Sequence, residues 1–170
     1  MVELLTALGK RFGLVAGPAE DRLAGVFQRP EVLLVHAHAK TTAGVYLVEL
    51  PAIRLNPVVP SHEIGAAVRR ALGACRTVPH PDASEWRDIG KPFLAAAGFR
   101  SWRVLEVGAK RCGVTQKPDG SFAFSITRNG GTRGDKKGFQ RFGVADQHLG
   151  AKASDAELGS AVLKALESCE

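Results

Sequence analysis

The chain has 170 residues, 45% of them apolar, and a formal net charge of +6, which suits one domain spanning residues 1–170 and excludes two ordinary independent domains. No run of eighteen apolar residues occurs, and the opening "MVELLTALGKRFG" lacks the basic start and long apolar core of a secretory signal, so we expect neither a conventional membrane span nor export. The three cysteines form no close pair, which argues against a disulfide framework or a cysteine zinc knuckle and favours a reducing cytoplasm.

The first half of the chain alternates apolar runs with turn residues such as "QRPE" and "KTTAG". An opening helix is predicted at Val2–Gly9. The strands predicted after it are Arg11–Val15, Arg22–Gln28, Val32–His38 and Val45–Leu50. A helix is predicted at Ser61–Cys75, because Ile64, Val68 and Leu72 recur at helical spacing.

The second half repeats this order of elements. A helix is predicted at Ser84–Ala97, with Pro92 interrupting its middle. The strands predicted after it are Trp102–Val107, Lys110–Gln116, Ser121–Thr127 and Phe139–Val144. The closing helix is opened by Ser154, since Glu157 three residues later completes a capping box.

Two pairs of segments match each other along the chain. "EIGAAVRRALGAC" (Glu63–Cys75) matches "ELGSAVLKALESC" (Glu157–Cys169) at an offset of 94, and "AGVFQRPE" (residues 24–31) matches "CGVTQKPD" (residues 112–119) at an offset of 88. We therefore predict two repeats, at about 1–76 and 84–170, with one loop lengthened in the second. The expected fold class is α+β: a mainly antiparallel sheet built from two pseudo-symmetric β-β-β-β-α repeats, with additional helices.

The positive charge is concentrated in one segment. Residues 100–141 carry ten Lys or Arg against three Asp or Glu, which predicts a basic surface that attracts an acidic partner or nucleic acid. Within it, the loop "RNGGTRGDKKGFQR" combines glycines with charges that are too dense to bury. Its candidate partner-binding residues are Arg128, Arg133, Asp135, Lys136, Lys137 and Arg141. The alternative interpretation is a solvated hairpin tip.

Trp86, in the charged stretch "SEWRD", is a further candidate partner-binding residue, because an exposed tryptophan anchors interfaces or stacks on bases. Cys75 and Cys169 occupy equivalent ends of the matched helices, where we expect small buried residues.

His36 and His38 alternate in "VLLVHAHAK" and would project from one sheet face. With a third ligand they would suit a metal, but no acidic or cysteine partner lies near them in sequence, so we interpret them as polar strand positions. No nucleophile elbow, P-loop or dinucleotide fingerprint is present. We expect no catalytic site, no metal and no cofactor.

The second half of the chain resembles a known family. The stretches "SWRVLEVGAKRCGVTQKPDG" and "ASDAELGSAVLKALESC" are similar to the immunity proteins of contact-dependent growth inhibition systems, in which a Ser-Trp-Arg segment leads into a Gly-Ala-Lys strand. The first half matches the family loosely. In the family pattern Trp102 belongs to a structural motif, so the resemblance implies that it lies in the core.

The resemblance implies a non-enzymatic bacterial protein of the cytoplasm that binds one toxin, the C-terminal domain of a large secreted effector, and blocks it. It implies a toxin that is a nuclease, often one that acts on tRNA, and a fold similar to the Whirly class of doubled β-β-β-β-α units. The basic charge departs from the acidic character common among nuclease inhibitors. The main alternative is a Whirly-like single-stranded nucleic-acid-binding module, and a third is a small hydrolase or nuclease.

Overall fold

The computed structural model of the chain describes residues 20–141 and 146–170. The predicted helix Val2–Gly9 and the predicted strand Arg11–Val15 lie outside these residues, as does the end of the predicted strand Phe139–Val144. Among the described residues, no helix is long and apolar enough to cross a membrane.

The strands form one mainly antiparallel sheet in the order β3-β2-β1-β5-β6-β7. The short strand β4 pairs parallel to β2, and β8 pairs antiparallel to β6. The bounds are β1 Arg22–Arg29, β2 Val32–Thr41, β3 Tyr46–Leu55, β4 Arg76–Val78, β5 Lys110–Gln116, β6 Phe122–Asn129, β7 Phe139–Arg141 and β8 Gln147–Leu149.

Within the described residues, four α-helices pack on this sheet. They are α1 Ser61–Gly73, α2 Lys91–Ala97, α3 Trp102–Glu106 and α4 Asp155–Glu167, with a 3₁₀ turn at Glu85–Arg87. The predicted α+β class with a mainly antiparallel sheet is confirmed, and so are both long helices. The capping box at Ser154 and Glu157 is also confirmed, since each residue's side chain bonds to the other's backbone N–H.

Two predicted elements of the second half are wrong. The segment predicted as strand Trp102–Val107 forms helix α3, because the extended Ser101 caps it and its side chain accepts a hydrogen bond from the Val104 amide at 3.3 Å. The predicted helix Ser84–Ala97 divides into the 3₁₀ turn and α2. Pro92 lies in the first turn of α2, where the missing proline N–H has no intrahelical partner to lose.

These differences bear on the predicted repeat. Helix α3 stands where the first strand of the second unit was expected, and its counterpart in the first unit lies outside the described residues. The short strands β4 and β8 were not predicted. A Whirly-like arrangement of four-stranded repeats therefore stays a prediction.

Helices α1 and α4 cover one face of the sheet and enclose the larger core with residues such as Val26, Val35 and Phe124. The two helices approach each other closely at glycines. A Cβ added to Gly65 would overlap the backbone of Asp155, and one added to Gly159 would overlap the backbone of Ser61. This contact requires glycine on both helices.

The opposite face carries a second, smaller core. Helices α2 and α3 pack there on the sheet, with Phe27, Leu34, Phe93 and Leu105 buried between the layers. Trp102 stacks on Phe93 with ring centroids 5.3 Å apart, in agreement with its predicted core role. The side chains of His36 and His38 also lie on this face of the sheet.

Candidate functional site

The basic loop lies between β6 and β7 and is held firmly at its base. The Asn129 side-chain amide donates to the carbonyl oxygens of Glu106 and Ala109, both at 2.8 Å. The Asn129 backbone amide donates to the carbonyl of Glu170 at 2.7 Å. The base of the loop is thus tied both to the end of α3 and to the C-terminal residue of the chain.

Backbone hydrogen bonds also close the loop above its base. The Gly130 amide donates to the Gly138 carbonyl, and the Gly138 amide donates to the Gly131 carbonyl, both at 2.8 Å. A Cβ on Gly130 would overlap the carbonyl of Lys136, so only glycine allows the two sides of the loop to approach this closely. The loop tip is therefore presented on a closed, hydrogen-bonded neck.

The charged residues of the loop divide into two groups. Arg128 pairs with Glu170 at 2.7 Å, and Arg141 pairs with Asp146, so both flanking cations are engaged within the chain. The remaining four are exposed at the tip and form no ion pair with any described residue. They are Arg133, Asp135, Lys136 and Lys137. Three tip cations thus stand against a single carboxylate.

Trp86 belongs to a different part of the sheet from this loop. The residue is 43% exposed, and its ring meets the His80 ring edge-on at 5.5 Å. His80 lines a cleft against β3, whereas the loop leaves the sheet at β6 and β7. Strand β7 turns back over the smaller core, since the Phe139 ring meets the Phe27 ring of β1 edge-on at 5.5 Å. Trp86 thus lies beside the cleft at β3, whereas the loop leaves the sheet between β6 and β7.

The cleft beside Trp86 was not predicted, because it forms only when β3, β4 and the segment before α2 come together. It has a volume of about 360 Å³. Its apolar lining includes Leu47, Val48, Leu50, Val78, Pro79, Pro81, Ile89, Pro92 and Phe93. The only hint in the sequence is the proline-rich stretch "VPHP" before Trp86.

His36 and His38 do project from one face, as predicted, and their ring centroids lie 4.7 Å apart. Arg111 from β5 points at the pair, with its Nη2 donating to His38 Nε2 at 3.4 Å. Burial lowers the pKa of His36 well below its ordinary value, and burial together with the Arg111 guanidinium lowers the pKa of His38 to about 3. Both imidazoles are neutral near pH 7.

This cluster is poorly suited to acid–base chemistry or metal binding. His36 is enclosed by the rings of Phe27 and Phe93, with centroids at 5.5 and 5.0 Å. Within residues 20–141 and 146–170, no three His, Cys, Asp or Glu side chains converge in a way that would hold a metal ion. We interpret the two histidines as buried polar strand positions, as the sequence suggested.

The aromatic pair of β6 bears on the nucleic-acid alternative. Phe122 and Phe124 are 1% and 0% exposed and belong to the core under α1 and α4. They are therefore inaccessible to nucleobases, which would have to stack on exposed rings.

The cysteines at the helix ends differ from each other. Cys169 is buried, as predicted, and burial raises the pKa of its thiol. Cys75 is only half-buried and its thiol donates to the Leu23 carbonyl at 3.1 Å. The environment of Cys169 does not favour a thiolate nucleophile.

Comparisons with known proteins complete these observations. The family model described as "CdiI: CDI immunity protein" matches residues 26–169. A protein of unknown function from Neisseria meningitidis has a similar structure, with a TM-score of 0.71 and 18% sequence identity, over 89% of this chain and 96% of that one.

A second solved structure is a CdiA-CT/CdiI toxin and immunity complex from Yersinia pseudotuberculosis. The matching chain has a TM-score of 0.70 and 16% identity, over 89% of this chain and 99% of that one. No curated protein matches the sequence significantly. At these sequence identities the two structures show that the fold is shared, and the match to the family model shows family membership.

Proposed function

The chain belongs to the CDI immunity protein family, and we propose that it binds one cognate toxin domain and blocks it, so that the producing cell is protected. The observation that carries this proposal is the family match over residues 26–169. The likeness to a chain of a toxin and immunity complex supports it. In this role the protein acts in the cytoplasm by occlusion and performs no chemistry of its own.

The partner in this proposal is the C-terminal domain of a large secreted effector, acting as a nuclease and possibly as a tRNase. The support for a nuclease is the family resemblance alone. A nuclease must attract phosphate groups, so its substrate-binding surface carries basic side chains. An inhibitor that blocks such a surface needs acidic or apolar groups in addition to its own cations.

The basic loop is our proposed contact for acidic side chains of the toxin. Its closed neck supports this role, because a loop that is already ordered loses little conformational entropy on binding. The exposed cations Arg133, Lys136 and Lys137 form no ion pair with another residue that the structure describes, and they would form charge-assisted hydrogen bonds with carboxylates of the toxin. Such charge pairs would set the partner specificity and the rate of association.

The test is to co-express the chain with the C-terminal domain of the effector encoded immediately upstream of its gene. We expect the two to co-purify as a stable complex, and we expect cells producing the toxin domain to survive only when the immunity protein is present. A toxin domain from an unrelated effector is the matched control and should neither co-purify nor be neutralised. Survival of cells that produce the toxin domain alone, or death despite the immunity protein, would refute the proposal.

A further inference from the structure

The apolar cleft beside Trp86 is a distinctive surface on this basic protein. Among the described residues, six large hydrophobic residues are exposed, and two of them belong to this region: Leu50 lines the cleft and Trp86 contacts the cleft-lining His80, 41% and 43% exposed. Val45 and Tyr46, at the start of β3, lie next to the cleft-lining Leu47 and are exposed as well. Exposed apolar side chains grouped at a cleft mark an interaction site.

The charge around the cleft is opposite in sign to the net charge of the chain. Among the charged residues that line it, Glu49 and Arg76 pair with each other at 2.8 Å, which leaves the carboxylate of Glu85. Residues 79–90 carry three carboxylates, those of Asp82, Glu85 and Asp88, against the single cation Arg87, although the whole chain has a net charge of +6. Asp88 is paired with Lys91 at 2.6 Å, but Asp82 and Glu85 form no ion pair with any residue that the structure describes. Glu85 itself lines the cleft.

The carboxylates of Asp82 and Glu85 are held in place by the local backbone. The Asp82 side chain accepts hydrogen bonds from the Ser84 and Glu85 amides, at 2.9 and 3.2 Å. The Glu85 side chain in turn accepts one from the Asp82 amide at 2.8 Å. These bonds pre-orient two negative charges at the edge of an apolar cleft, and ordered charges lose less entropy when a partner binds.

From this combination we propose that the Trp86 cleft is a docking site for a cationic apolar segment of the toxin, one that places an arginine or lysine beside an aliphatic or aromatic side chain. The apolar side chain enters the cleft between Leu50 and Phe93, and the cation lies over the Trp86 ring within reach of Glu85. This inference rests on the proposed function, since the partner is the same toxin domain. It also supplies the acidic contact that a basic inhibitor of a basic nuclease requires.

The cleft and the basic loop then form two subsites of opposite charge, one beside β3 and the other between β6 and β7. A standard interface of about 800 Å² per partner is roughly 30 Å across, and we expect one toxin domain to cover both subsites. Opposite charges at the two ends of an interface admit one orientation of the partner and oppose the reverse one.

The test measures the affinity of the same toxin domain for three cleft variants: Trp86→Ala, Leu50→Asp and Glu85→Lys. We expect each to weaken binding by at least ~10-fold, as for anchors at the centre of an interface. Val58→Asp and Glu167→Lys are the matched controls, because they introduce the same charged residues at exposed positions outside the cleft. The controls should bind within about twofold of the wild-type chain.

A spectroscopic readout separates loss of contact from loss of fold. Trp86 is exposed and the chain's other tryptophan, Trp102, is stacked in the smaller core. Binding of the toxin domain should therefore shift the tryptophan emission of the wild-type chain to the blue, and Trp86→Phe should lose most of this shift. Circular dichroism of the variants should match that of the wild type.

The outcomes distinguish this inference from the proposed function. If the wild-type chain binds the toxin domain and all three cleft variants bind equally well, the inference is wrong and the proposed function stands. If the wild-type chain itself does not bind, both fail. If sedimentation shows a wild-type dimer that Trp86→Ala converts to a monomer while toxin affinity is unchanged, the cleft accommodates a second copy of the chain, which also overturns the inference.

Discussion

Gly25 in β1 lies directly opposite Gly113 in β5, and the two glycines are 88 positions apart, at matching places in the segments 24–31 and 112–119. Each glycine leaves space that a neighbouring side chain fills, since a Cβ on Gly25 would overlap the His36 ring and one on Gly113 would crowd the hydroxyl of Ser125. The centre of the sheet is thus formed where the matched segments meet in opposite directions.

The close contact between α1 and α4 predicts a large penalty for Gly159→Ala. The added methyl group would meet the Ser61 carbonyl, and the helices would have to separate over the larger core. We expect a loss of about 1–3 kcal/mol in the free energy of unfolding, in spite of the better helix propensity of alanine. Urea denaturation followed by circular dichroism measures it.

The control for this prediction is Gly73→Ala, at the end of α1. A Cβ there meets no atom within 4 Å, so this variant should be neutral or slightly stabilising. Equal destabilisation by both substitutions would contradict the role assigned to the helix contact.

The buried histidines predict that the protein loses stability in mild acid. The folded-state pKa values of His36 and His38 lie below the ordinary value of 6.5, so the unfolded chain binds protons that the folded chain excludes. The free energy of unfolding should therefore fall as the pH drops below about 6.5, by up to ~1.4 kcal/mol per pH unit for each histidine. Urea denaturation at pH 7.5, 6.5 and 5.5 measures the slope.

His38→Gln should reduce the pH dependence of the free energy of unfolding by about the contribution of one histidine. Glutamine does not titrate, and it can still accept a hydrogen bond from Arg111. His148→Gln is the control, since His148 is exposed. An acid slope that is the same in the wild type and in His38→Gln would exclude His38 as its source.

The capping box predicts that Ser154→Ala destabilises the protein by about 1 kcal/mol. The serine hydroxyl accepts a hydrogen bond from the Glu157 amide at 3.2 Å, and its removal leaves a donor at the start of α4 without its partner. Ser160→Ala, at an exposed position within the same helix, should have no such effect. Thermal unfolding compares the melting temperatures of the two variants. Similar melting temperatures would argue against a stabilising role for the Ser154 cap.

The loop tip predicts an electrostatic effect on toxin association. Reversing its three cations together, Arg133→Glu, Lys136→Glu and Lys137→Glu, should lower the association rate constant by about 10-fold or more at low salt. The effect should shrink as salt is added. The matched control reverses Arg70, Lys152 and Lys164, which are exposed on other parts of the chain.

Surface plasmon resonance at two ionic strengths tests this expectation with the toxin domain as the analyte. If the loop and control variants slow association equally, the net charge of the chain is responsible and the loop is not a specific contact.

The burial of Phe122 and Phe124 predicts weak binding to nucleic acid. A fluorescent 15-nucleotide single strand should bind with a dissociation constant weaker than micromolar at physiological salt, because contacts to phosphates alone give only this non-specific affinity. Fluorescence anisotropy provides the measurement. Micromolar or tighter binding that falls steeply with salt would instead favour the nucleic-acid-binding alternative.

Much of the fold could be predicted from local patterns. The strands β1, β2, β5 and β6 were predicted within a few residues, because apolar runs bounded by turn residues mark buried strands. Helices α1 and α4 followed from apolar residues at helical spacing. The short elements were missed or mistaken: α3 has five residues and β4 three, too few for a periodic pattern to develop.

The candidate surfaces, too, could be predicted from the sequence only in part. The exposed basic loop followed from its glycines and dense charges, and the partial exposure of Trp86 followed from its charged neighbours. The sequence could not show that Arg128 and Arg141 are engaged by Glu170 and Asp146, because the first of these ion pairs joins residues 42 positions apart.

By itself the sequence determined the strand and helix faces, the local caps and the family, since each is written in residues that are neighbours along the chain. Tertiary structure alone decided what distant segments build together: the glycine contacts between α1 and α4, the enclosed histidines and the acidic apolar cleft beside Trp86. The physical reason is that periodicity and capping depend on local backbone geometry, whereas a surface depends on which elements pack side by side and on which charges they neutralise.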